Sequence, residues 1–134
     1  MRVREEGVHF RKNSSNNILE GSHIHDTGKN NDGYGEGVYV GTAKSNWGKI
    51  NGGKPDNSDN NQILNNTIEG TTAETIDVKE GTTGTVIKGN TVDGNGLTGK
   101  NYADSLVALK GNDAVYEDNI AKNSNGNSHM KREI

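Results

Sequence analysis

Apolar residues in this chain come as short alternating pairs and not as long runs. Val8 and Phe10, Val38 and Val40, Ile76 and Val78, and Val107 and Leu109 each bracket a single residue. Such alternation puts the pair on one face of an extended strand and the bracketed residue on the other. A further apolar residue follows each pair, at Leu19, Ile63, Ile87 and Tyr116. Three residues later stand Ser22, Asn66, Asn90 and Asn119, and two beyond those come Ile24, Ile68, Val92 and Ala121. The same three-part beat therefore occurs four times.

Each beat predicts three short strands joined by tight turns. The Ser/Asn position is expected to adopt left-handed φ and to hydrogen-bond its equivalent in the next beat, forming an asparagine ladder. These positions are 44, 24 and 29 residues apart. The first interval is stretched between Val40 and Ile63, because the equivalent steps from Phe10 to Leu19 and from Val78 to Ile87 take nine residues. Without that insertion the period is about 30 residues. A leucine-rich repeat has a similar period but needs a Leu-rich consensus and a helix in each repeat, and neither is visible. The pattern predicts an all-β fold, a right-handed parallel β-helix of about four coils with three short strands each.

Composition supports an ordered but polar solenoid. Of 134 residues only 28% are hydrophobic and 4% aromatic, too few for a conventional globular core. A mean hydropathy of -0.93 would suit a disordered chain, yet the net charge of -3 is small for one. Twenty asparagines and 19 glycines against one proline suit a fold that turns often and needs positive φ at many turns. No cysteine is present, which excludes disulfides and thiolate metal sites. The amino terminus, MRVREEGVHF, has no apolar stretch of signal-peptide length, no window approaches a membrane span, and no basic aromatic surface suggests nucleic acid. Residues 1–134 are expected to form a single β-helix fragment of a longer protein, with 41–61 an inserted loop and 122–134 a polar C-terminal tail.

The segments GVYVG, ETIDVKEGTTGTVIKGNTVDGNG and ADSLVALKGN resemble coils of right-handed β-helix repeat proteins of the pectin lyase superfamily, over nearly the whole chain. The pattern is also similar to that of chondroitinase B and related alginate lyases, in which paired acids and a Lys on one coil are followed by an Arg on the next. Here Glu74, Asp77 and Lys79 are spaced differently, and Leu109 followed by Lys110 stands where that Arg falls. The resemblance implies a secreted, extracellular protein whose partner is an acidic polysaccharide or other glycan. Three functions stay open: a polysaccharide-contacting module of a longer carbohydrate-active protein, a lyase cleaving uronic-acid polymers by β-elimination, and a non-catalytic structural spacer.

Stacking the first strands of the four beats sorts the outward residues into columns. One column holds His9, Tyr39, Asp77 and Ala108, and its neighbour holds Arg11, Gly41, Lys79 and Lys110. Glu36 and Glu74 stand two positions before the first inward residue of their beats, with Asp104 close by on the next. An eliminating lyase needs a base for the proton α to a uronate carboxylate, a cation to neutralise that carboxylate and an acid for the leaving oxygen. Lys79 is the candidate base, Tyr39 the acid, and Arg11, or a Ca2+ ion on Glu74 and Asp77, the neutraliser. Lys110, His9 and Trp47 are candidate substrate contacts, Trp47 by stacking on a sugar ring from the inserted loop. Two structural readings compete: charged columns that only solvate a strand face, and a Trp47 that only pins its loop.

Overall fold

The structure, a computed structural model, describes residues 4–99 and 103–132. Three parallel sheets run the length of the molecule, as in a right-handed parallel β-helix. The first coil contributes β1 (Val8–Phe10), β2 (Ile18–Glu20) and β3 (His23–His25), and the second β4 (Val38–Val40), β5 (Gln62–Leu64) and β6 (Thr67–Glu69). The third holds β7 (Ile76–Val78), β8 (Val86–Lys88) and β9 (Thr91–Asp93), and the fourth β10 (Ser105–Leu109), β11 (Val115–Glu117) and β12 (Ile120–Lys122). Residues expected to form a polar tail contribute β13 (Ser128–Arg132), which pairs with β10 and turns Met130 towards the core. Alternation at Ser128, Met130 and Arg132 is the physical reason: one apolar side chain suffices to seat a strand on a coil that already offers a free edge.

Register follows the repeat. Phe10, Val40, Val78 and Leu109 are directly paired across β1, β4, β7 and β10. Val40 and Val78 are fully buried and Leu109 nearly so, whereas Phe10, on the first coil, is covered from one side only. Ile63 with Ile87 and Ile68 with Val92 form parallel stacks on the other two sheets. Stacked aliphatic columns supply a narrow continuous core, which explains how so polar a composition folds. Among the described residues no helix is long and apolar enough to cross a membrane.

The ladder forms, with one correction. The Asn66 amide and side-chain N–H groups donate to the Asn90 side-chain oxygen at 2.9 and 3.0 Å, and those of Asn90 donate to Asn119 at 2.8 and 2.9 Å. Left-handed φ belongs to the preceding residue in each coil, Gly21, Asn65, Gly89 and Asp118. The chain reverses there, which leaves the ladder residue free to aim its amide along the stack. A second rung of the same kind joins Asn17 to Asn61 at the turn before β2 and β5.

The inserted segment is a built wall. Asp56, fully buried, accepts the backbone N–H groups of Lys12 and Asn13 at 2.8 and 3.0 Å and the hydroxyls of Thr42 and Ser58 at 2.7 and 2.6 Å. Burial pushes its carboxyl upward, but the two hydroxyls and two amides outweigh this and hold it below the ordinary aspartate value. A short helix, α1 (Trp47–Asn51), crosses the wall, and the Trp47 indole N–H donates to the Thr42 carbonyl at 2.9 Å.

Candidate functional site

The outward side of the sheet β1-β4-β7-β10-β13 and the inserted wall enclose a groove of about 720 Å³. It reaches from His9 and Arg11 on the first coil to Lys131 on β13. Five strands at about 4.8 Å spacing make that roughly 19 Å, so the groove runs across the coils.

At its centre, Tyr39 and Asp77 are direct partners on β4 and β7. The Lys79 ammonium lies 2.9 Å from the Asp77 carboxylate and 5.3 Å from the centre of the Tyr39 ring. Burial alone would push Lys79 down, but the Asp77 carboxylate outweighs it and raises the group above the ordinary lysine value. Lys79 is therefore an ammonium in the free groove. Burial likewise raises Tyr39, which keeps its phenolic proton across the physiological range. The Ala43 backbone amide faces the Tyr39 hydroxyl from the inserted wall. His9 packs against Tyr39 with ring centres 4.4 Å apart, and its Nε2 donates to the Gly41 carbonyl at 2.8 Å. Burial lowers the His9 pKa, so the ring is a neutral support that fixes the Tyr39 rotamer.

Beneath this pair lies an acid cluster. Carboxylate oxygens of Glu36, Glu74 and Asp77 all fall within 4.8 Å of one another, and all three residues are buried. Among the described residues, Oε1 of Glu36 and Oδ1 of Asp77 have no hydrogen-bond partner. Burial, then repulsion from Asp77, pushes Glu36 up to about 8 and Glu74 up to about 7, and burial raises Asp77 itself. Three carboxyls facing one bonded ammonium form a site that favours extra positive charge, as protons or as a hard cation with oxygen ligands.

The candidate site residues separate into two groups. Lys79, Tyr39, Arg11, Lys110, His9, Glu74 and Asp77 all line the groove. Trp47 faces the turn at Gly81 instead, where a Cβ would meet its ring at 3.1 Å. Its indole is used to seat the wall, and Ile50 is the apolar side chain that α1 turns to the groove. Glu36, given no role from sequence, completes the acid cluster. A signal existed, since Glu36 and Glu74 hold the same place two residues before the first inward residue of their coils. Lys44, also given no role, comes from the wall and was hidden by the absence of any repeat there.

No protein-family profile matches the sequence, and no curated protein does. Among solved structures, the chain is similar to an alginate lyase from Paenibacillus sp. str. FPU-7, with 47% sequence identity and a TM-score of 0.81. The match covers 88% of this chain and 39% of the lyase, so the chain spans about two fifths of that protein's length.

Proposed function

We propose that this groove binds a polymer of uronic acids, outside the cell, and cleaves it by β-elimination. The observation that supports this most is the placing of Lys79 and Tyr39 side by side on adjacent coils, in a chain similar to an alginate lyase. Tyr39, holding its proton, is suited to protonate the glycosidic oxygen as the C4–O bond breaks. Lys79 is suited to take the C5 proton, and Arg11, about two strand spacings away, to meet the carboxylate that makes this proton acidic. Lys110 and His9 flank this centre, Lys110 as a sugar contact and His9 through Tyr39.

For Lys79 to act as base it must shed the proton that Asp77 stabilises, so the acids beneath it have to be neutralised when substrate is bound. Glu36, Glu74 and Asp77 fit a Ca2+ ion, offering three buried carboxylates with two unpartnered oxygens. Bound by these residues, such an ion would supply positive charge to the groove floor.

A structural spacer gives no reason to bury three carboxyls against one another, since uncompensated buried charge is costly. A binding module without turnover would need the cations but not the protonated Tyr39 beside Lys79. Incubation with a panel of uronic-acid polymers distinguishes these. Elimination leaves a C4–C5 double bond with strong ultraviolet absorbance at the new non-reducing end. New reducing ends without that absorbance, or no cleavage of any polymer, would defeat the proposal.

A further inference from the structure

A second group of metal-ligating side chains lies away from the groove, on the outward face of the sheet β3-β6-β9-β12. His23 and His25 flank the buried Ile24 on β3, so strand alternation sends both rings outward. Their ring centres are 4.6 Å apart, and neither residue lines the groove. Two imidazoles that share one metal at about 2.1 Å have ring centres roughly 5 Å apart, so this pair needs little rearrangement to chelate.

Neighbouring carboxylates settle which atoms face the metal. Asp26 lies 2.8 Å from Nδ1 of His25, and this bond is the main reason its carboxyl stays below the ordinary aspartate value. A charged carboxylate only accepts, so in the neutral ring Nδ1 carries the proton and Nε2 presents its lone pair. Lys29, 3.5 Å from the other Asp26 oxygen, offsets that charge and leaves the metal's own charge to Glu69. Glu69 is the register partner of His25 on β6, and its carboxylate lies 3.6 Å from Nε2 of His23. Among the described residues only the groove's acid cluster already gathers three such atoms within 4.8 Å of one another. Here the third ligand arrives by rotation of Glu69, whose half-exposed side chain is free of the core.

We propose that His23, His25 and Glu69 bind one Zn2+ ion, or another divalent metal that prefers imidazole nitrogen, and that this ion clips β3 to β6. Water completes the tetrahedron. The two imidazoles set the site apart from the groove's carboxyls, which suit a hard cation with oxygen ligands. Among the described residues β3 is the outermost strand of its sheet, paired on one side only. Ligands drawn from both strands make the ion a fastening between the first and second coils, because a metal that binds only the folded form adds to its stability. Asp26 is a positioning residue that fixes the His25 ring.

Zinc chloride alone is the probe, titrated by calorimetry into chelator-treated protein with excess Ca2+ present to fill sites made of oxygen ligands. The expected result is one tightly bound equivalent and a zinc-dependent rise in melting temperature. His23→Gln and His25→Gln should each weaken binding by about tenfold or more and remove the rise, and Glu69→Gln should weaken it several-fold. Asp26→Asn keeps a residue that tolerates the left-handed φ of 55° at that turn, and should weaken zinc several-fold through the His25 ring. All four side chains are partly exposed, so the metal-free variants should melt with the unaltered protein. Zinc affinity unchanged in both His variants overturns the proposal, as does zinc binding that Glu36→Gln abolishes and His25→Gln spares. Zinc bound through the two His residues without any rise in melting temperature overturns the clip.

Discussion

Replacing Lys79 with alanine is expected to lower turnover on uronic-acid polymers by roughly 10²- to 10⁴-fold, the range for loss of a positioned general base. Strand alternation alone makes Lys79 a solvent-facing residue with little effect on stability, but its side chain is only 12% exposed and bonded to a buried Asp77. Lys79→Ala therefore also leaves an uncompensated buried carboxyl and is expected to lower the melting temperature. Activity has to be read below the variant's transition, with folding checked by circular dichroism. Tyr39→Phe separates the two effects, because it removes a hydroxyl without disturbing charge. A comparable loss of kcat in Tyr39→Phe, at unchanged melting temperature, is the expected companion result. Full turnover in either folded variant would remove that residue from the chemistry.

Asp56→Ala is expected to cost about 3 kcal/mol of stability, since it removes the acceptor of two backbone amides and two hydroxyls. The same change unfastens the wall from the turn after β1, so affinity for polymer should fall even where the coils remain folded. The effect has a pH signature. A carboxyl held below its ordinary value stabilises the fold at pH above that value, 3.8, and the contribution fades as pH falls through the lower folded value. The gap in melting temperature between Asp56→Ala and the unaltered protein should thus be widest near neutrality and shrink below pH 4. A gap independent of pH would mean that Asp56 acts by packing alone.

The coil core was legible in the sequence because a parallel stack repeats its inward positions at nearly fixed intervals. Phe10, Val40, Val78 and Leu109 share a beat and are paired across the sheet. The sequence pattern places the turn one residue late, since its visible signal is the Asn that makes the ladder, while the strained φ falls on the residue before it, such as Asn65 or Asp118. The outward columns were legible for the same reason as the core, which is why Arg11, Tyr39, Asp77, Lys79 and Lys110 come together in one groove. Position in a column does not give burial, however. Asp77 is 2% exposed although it points outward, because Glu36, Glu74 and Lys79 close over it. The wall was least legible. Without a repeat, nothing in 41–61 says that Asp56 turns inward, that Trp47 faces Gly81, or that Lys44 and Ile50 face the groove.

The central claim is that elimination occurs between Tyr39 and Lys79. A crystal structure of Lys79→Ala with an oligomer of consecutive uronates tests it most directly. The expected complex has a glycosidic oxygen within hydrogen-bonding distance of the Tyr39 hydroxyl, one uronate carboxylate on Arg11, and its C5 hydrogen directed at the space left by the Lys79 side chain. An ordered oligomer bound elsewhere on the solenoid, or in the groove with its glycosidic oxygens turned away from Tyr39, would contradict it.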